Sequence, residues 1–180
     1  LGYQAYVFEA FDDNDPDNVD YYTNIPPGGN YYHENYVQTS GFTGKLTANI
    51  ATAYKNKLFL GLNLNAHFTD YVKSTSVYES NNNELYTSGL TVTDIQFNND
   101  LYTYGTGFSM NLGAIYKFTD NFRAGIAYES PTWYQLNDEL SQRLITRTSD
   151  GTNIRQRYIN PQIINIYESY KIQTPSKWTL

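Results

Sequence analysis

Cysteine does not occur in the 180 residues, so no disulfide framework, thiolate nucleophile or cysteine-built zinc site is on offer. Positive charge is also scarce: 12 Lys and Arg against 18 Asp and Glu leave a net charge of −6. That balance gives no electrostatic footprint for a nucleic acid or an anionic lipid surface. No apolar run approaches the roughly 18 residues of a transmembrane helix, and the chain opens with neither a signal peptide nor an initiator Met. It starts in mid-pattern at LGYQAYVFEA and stops in mid-pattern at KWTL, as a mature chain or a fragment would. Histidine is limited to His33 and His67, which share no ligand spacing, and there is no phosphate loop or nucleophile elbow. The expectation is therefore no catalytic residue, no metal site, no cofactor and no enzyme activity. In DDNDPDN, Asp13, Asp15 and Asp17 alternate as in a calcium loop, but the Gly and distal Glu of that pattern are missing. The stretch reads as a solvated acidic loop.

What the chain does have is aromatic side chains, 17% of the residues with 19 Tyr among them, and a strong alternation. In YGTGFSMNLGAIYKF, Phe108, Met110, Leu112, Ala114, Tyr116 and Phe118 take the even positions. Gly105, Gly107, Ser109, Asn111 and Gly113 fill the odd ones. Successive side chains of a strand point to opposite faces, so one face is apolar and the other small and polar. Thr119-Asp120-Asn121 is turn chemistry. Beyond it Phe122, Ala124, Ile126 and Tyr128 resume the apolar face against Arg123, Gly125 and Glu129. The same design appears earlier, with Phe42 to Tyr54, a turn at Lys55-Asn56-Lys57, then Leu58 to Phe68 with Asn63, Asn65 and His67 between the leucines.

These patterns predict strands near 1–10, 41–54, 58–69, 103–118, 122–135 and 163–180. The polar stretches 11–40, 70–102 and 136–162 read as long loops, and 55–57 and 119–121 as short turns. Turns and loops are thus sorted to opposite ends, as in outer-membrane barrels with short periplasmic turns and long extracellular loops. Residues 104–118 would reach roughly 50 Å when extended, enough to cross a bilayer at a tilt. Tyr54, Tyr116, Phe118 and Phe122 collect beside the turns, and Tyr71, Tyr102, Tyr104, Trp133 and Tyr134 at the other ends, like two aromatic girdles. The expected fold is all-β, an antiparallel transmembrane β-barrel segment of about six strands from a larger barrel, all within one domain.

The stretch KLFLGLNLNAHFTDY, a long loop, and then YGTGFSMNLGAIYKFTDNFRAGIAYESPTWYQLNDEL resembles the central part of the FadL/TodX family of outer-membrane transport proteins. The shared pattern is Gly-x-Gly-aromatic, Asn-x-Gly, an aliphatic-Tyr pair, a short polar turn and Arg-x-Gly-x-x-Tyr-x-Ser, here Arg123, Gly125, Tyr128 and Ser130. IYESYKIQTPSKWTL is similar to the next family strand, with its Pro before a Trp. The resemblance covers most of this chain and only part of the family's length. It implies a fourteen-stranded barrel in the outer membrane of a Gram-negative bacterium, with outer-membrane lipid and lipopolysaccharide around it. Its function would be passive uptake of small hydrophobic molecules, either long-chain fatty acids or aromatic hydrocarbons. Nothing in the chain reads as the family's hatch domain.

On that reading the polar face lines a lumen, through Asn63, Asn65, Gly105, Gly107, Ser109, Asn111, Gly113 and Glu129. The glycines would leave room for a guest or a plug. Tyr86, Leu90 and Phe97, with Tyr102, would form an apolar landing surface on the 70–102 loop, or else that loop's own small core. Arg123 would meet a carboxylate of the cargo, or take part in a structural ion network. Two other readings fit the same residues. A barrel of this kind can be a structural subunit of a secretion or uptake assembly with protein partners, and a soluble tyrosine-rich β-sandwich can bind glycans.

Overall fold

The computed structural model describes Leu1–Leu180 and is all-β, with antiparallel strands and no helix. β1 (Phe8–Ala10) and β2 (Tyr21–Thr23) pair in a small sheet of their own. The other nine strands form one sheet. They are β3 (Tyr31–Tyr54), β4 (Leu58–Asn81), β5 (Thr91–Lys117), β6 (Arg123–Glu129), β7 (Trp133–Ser149), β8 (Ile154–Ile159), β9 (Ile164–Ile166), β10 (Tyr170–Gln173) and β11 (Lys177–Thr179). The main path runs β10-β7-β5-β4-β3, with β6 between β5 and β11, and β8 and β9 on β7. The sheet is open, because β3 has β4 as its single neighbour.

Several strands are longer than the sequence pattern predicts. The segments 70–81 and 91–102 continue β4 and β5, so the loop between them shrinks to 82–90. Residues 31–40 belong to β3, and 136–149 to β7, with Ile154–Ile159 returning as β8. Those stretches are rich in Ser, Thr, Asn and Asp, which resembles loop composition but also suits strands wetted on one side. The opening segment errs the other way. Residues 1–6 are turns, with Ala5 N–H bonded to Leu1 O at 3.0 Å, Val7 N–H to Gly2 O at 3.0 Å, and Tyr6 at φ 58°. Only Phe8–Ala10 is extended there, so five strand lines cross the 40–72 and 102–139 region rather than six.

The predicted strands 122–135 and 163–180 are each interrupted, at matching places. Ser130-Pro131-Thr132 separates β6 from β7, and Thr174-Pro175-Ser176 separates β10 from β11. Proline lacks an N–H for the ladder, and at each break a hydroxyl oxygen stands in for a backbone carbonyl as acceptor. Ser130 Oγ accepts Met110 N–H at 2.9 Å and Thr174 Oγ1 accepts Thr132 N–H at 2.8 Å. The break inserts one extra residue. Below it even faces even, as Leu112 opposite Tyr128; above it Phe108 stacks on Trp133, 6.5 Å between centroids. That is β-bulge behaviour, and the matched break lets β10 and β11 follow, Trp133 facing Gln173 and Tyr128 facing Trp178.

The chain divides into two compact units. The first holds Leu1–Thr39, Lys73–Leu101 and Leu140–Asn165. It contains every buried apolar side chain of the protein, Ala5, Pro26, Val92 and Leu144, and Thr91, Thr146 and Thr148 are buried there too. The N-terminal turns are tied in by Thr146 Oγ1 donating to Ala5 O and Asn24 Nδ2 to Tyr6 O, both at 2.9 Å, and by the Arg157 guanidinium 3.9 Å over the Tyr6 ring. Its ion pairs lie nearer solvent, with Arg143 2.6 Å from Asp100 and Arg147 3.6 Å from Asp94. Its surface also carries large apolar side chains, Phe11, Val19 and Ile154 among them.

The second unit holds Ser40–Val72, Tyr102–Glu139 and Ile166–Leu180, and it buries no apolar side chain. Its buried residues are Asn65, Ser109 and Ser130, all polar. Phe42, Leu46, Ile50, Leu60, Leu64, Phe68, Phe108, Leu112 and Ile126 are exposed. Along β5 the apolar Ile95, Phe97 and Leu101 are odd, after the even and buried Val92, whereas Phe108, Leu112 and Tyr116 are even.

Candidate functional site

The polar face of the second unit is a hydrogen-bonded ladder across β3, β4, β5 and β7. Alternation alone puts Asn63, Asn65 and His67 on the same side of β4, and Ser109, Asn111 and Gly113 on the same side of β5. Asn65, 3% exposed, is the hub. It accepts from Thr47 Oγ1 at 2.9 Å and donates to Asn111 Oδ1 at 2.7 Å and Ser109 Oγ at 3.2 Å. His67 Nε2 lies 2.8 Å from Ser109 Oγ, while its Nδ1 is 3.4 Å from the Tyr134 hydroxyl. Asn49 Nδ2 donates to Asn63 Oδ1. No buried side-chain donor or acceptor is left unpaired. Such a ladder rigidifies the sheet and lines its face with amide, hydroxyl and imidazole groups. No group of His, Asp and Glu is placed to hold a metal ion.

The glycines differ in what surrounds them, which corrects the expectation that all leave room. A Cβ at Gly105 would run into the Gln135 carbonyl and Leu136, and one at Gly107 into Tyr134. These two allow β5 and β7 to approach closely. Gly113 faces open space, as does Gly61 beside it on β4. Glu129 is exposed and stands opposite Asn111 on β5 and Lys177 on β11. Arg123 is exposed, opposite Lys117, and forms no ion pair, so the ion network expected around it is absent.

The proposed landing residues are not brought together. Tyr86 packs on the N-terminal segment, its hydroxyl donating to Ile25 O at 3.1 Å and its N–H to Thr91 Oγ1 at 2.9 Å. Leu90 precedes β5, and Phe97 sits within it, about 23 Å farther along the strand. Tyr86 is thus tied to Ile25, outside the 70–102 stretch. Tyr102 donates to Asp70 Oδ2 at 2.8 Å and stacks on Tyr104, 5.0 Å between centroids. At the turn end, Tyr116, Phe118 and Phe122 form a second aromatic group, with centroids 4.9 and 5.5 Å apart.

Thr47 and His67 join the ladder by the same parity that marks Asn63 and Asn65, the alternation already legible along β3 and β4. Tyr134 would not be found so, because the extra residue near Pro131 switches its face. A search against protein-family models and against curated proteins finds no match for the chain.

Proposed function

We propose that the second unit is a stretch of membrane-spanning β-barrel wall and that the protein admits small hydrophobic molecules across a bacterial outer membrane. The observation that carries this reading is that residues 40–72, 102–139 and 166–180 bury polar side chains alone and expose the apolar positions of their alternation. An exposed apolar face over a hydrogen-bonded polar face is costly in water and favourable where hydrocarbon bathes the outer face. The chain has no helix long and apolar enough to cross a membrane, so a crossing would be made by strands. Leu58–Phe68 alone supplies the roughly 9–11 tilted residues that a strand needs. The paired aromatic groups at either end of the apolar band fit the two interfaces. The open edge of β3 calls for further strands, since unpaired backbone groups cannot face hydrocarbon.

The FadL-like resemblance supplies the cargo class, long-chain fatty acids or aromatic hydrocarbons. The closed surroundings of Gly105 and Gly107 favour the second reading, a wall that serves as a structural subunit. Uptake separates them. Vesicles containing the folded protein should take up palmitate or naphthalene faster than protein-free vesicles. Equal rates would leave the structural role.

A further inference from the structure

The small sheet of β1 and β2 carries an aromatic cluster of its own. Phe8 stands opposite Thr23 and Ala10 opposite Tyr21, so alternation puts Phe8, Ala10 and Tyr21 on one face. Phe8 and Tyr21 meet edge to face, 5.7 Å between centroids at 86°, and Tyr3 lies 6.3 Å from Phe8. Ala10 adds only a methyl group there and leaves a hollow. All three rings line a cavity of about 270 Å³, and Asp12, Asp13 and Asp15 line it with them. The rings are not packed away: Tyr3 is 46%, Phe8 38% and Tyr21 53% exposed. Open rings around a concave space, with a few polar groups beside them, are the makings of a small-molecule site.

The charge of that space is one-sided. No lysine or arginine occurs before Lys45, and the three ion pairs of the protein use other carboxylates. Asp12 accepts the Asn14 N–H at 2.9 Å, Asp15 the Asp17 N–H at 3.0 Å, and Asp13 the Tyr3 hydroxyl at 2.7 Å. Those bonds hold the carboxylates in place and leave their charge unbalanced. The face of an aromatic ring is the negative side of its quadrupole, so rings and carboxylates call for the same guest, a cation. The same N-terminal segment already seats one, the Arg157 guanidinium 3.9 Å over the Tyr6 ring. A metal ion is the poorer match, because no set of these carboxylates is placed to hold one and ring carbons are not oxygen ligands.

We propose that this cavity binds a small organic cation, an alkylated ammonium group seated on the Phe8 and Tyr21 rings, with Asp12, Asp13 and Asp15 as its counter-charge. A trimethylammonium head offers methyl groups to the rings and a diffuse positive charge to the carboxylates, the pairing that aromatic cages use. The proposal goes beyond the transport reading and holds whether or not the second unit meets lipid.

The test is calorimetric titration of the folded protein with choline and with dimethylbutanol, its neutral isostere. Choline should bind about fivefold more tightly or better, the worth of a cation–π contact at an open site, and added salt should narrow the gap. The triple variant Asp12→Asn, Asp13→Asn, Asp15→Asn keeps an acceptor for each hydrogen bond, so it should fold and lose the preference. Tyr21→Leu should weaken choline binding, whereas Tyr21→Phe should leave it unchanged. Equal binding of choline and its isostere, a preference that survives in the triple variant, or a Tyr21→Leu variant that binds choline like the native protein would overturn the proposal. So would calcium chloride that displaces choline at a lower concentration than choline itself needs, since the site would then belong to a metal ion.

Discussion

Leu112 and Gly113 are neighbours on β5 that face opposite ways, and a lysine at each separates a lipid-bathed strand from a water-bathed one. Leu112 is 44% exposed. In water, a lysine at so open a position would change stability by no more than about 0.5 kcal/mol, as surface substitutions usually do. Facing hydrocarbon near mid-membrane, the same substitution would cost roughly 2–4 kcal/mol, about thirtyfold to several hundredfold in the folding equilibrium at about 1.4 kcal/mol per tenfold. Gly113→Lys is the internal control. Nothing lies within 4 Å of its added Cβ, so the chain has room for the side chain. Its cost should stay below about 1 kcal/mol, since it meets no overpacking. The assay is urea-dependent folding into lipid vesicles, followed by tryptophan fluorescence and by heat-modifiable gel mobility. A small penalty at Leu112, or equal penalties at both positions, would refute the reasoning.

Asn65→Ala should cost about 2–4 kcal/mol in the same titration, because three hydrogen-bonding partners lose the group that satisfies them. Gly107→Val should destabilise more than Gly61→Val, since a Cβ at the former meets Tyr134 and at the latter meets nothing. In the first unit, the hydrogen bond to Asp94 is the main cause holding the Tyr78 hydroxyl above its ordinary pKa, with burial adding to it. Its stabilising contribution is full below the unfolded tyrosine value and is lost as pH rises through the raised folded one. An absorbance titration of tyrosine in native protein and in Tyr78→Phe should show one late-titrating phenol missing from the variant. Asp150 goes the other way, its carboxylate held below the ordinary range by the backbone N–H groups of Asn153 and Thr152. The β7–β8 turn should therefore lose protection from hydrogen exchange as pH falls through that lowered value.

Where the sequence spoke clearly, it did so through parity. From Phe108 to Phe118 every even residue is apolar and every odd one through Gly113 small or polar, so strand, faces and the turn after Lys117 follow from counting. The same counting groups Asn63, Asn65, Ser109 and Asn111 on one face, where they hydrogen-bond. It failed where both faces of a strand are polar or weakly apolar, as in DYVKSTSVYESN, because wetted strand and loop then share a composition. It failed at residues 1–6 because Tyr3, Ala5 and Val7 alternate in a turn as well as in a strand. Single inserted residues did the remaining damage. The break at Pro131 moves Tyr134 to the face of His67, and no local pattern announces which neighbour will fill the space beside Gly107.

The absence of cysteine makes the central claim directly measurable. Single cysteines at Leu60, Leu64, Leu112 and Ile126 on one face, and at Asn63, Gly113 and Gly61 on the other, can carry an environment-sensitive fluorophore in the vesicle-folded protein. Brominated lipid chains should quench the first set strongly and the second weakly, alternating residue by residue along β4 and β5. Quenching without alternation, or none at either set, would contradict a wall whose apolar face meets lipid.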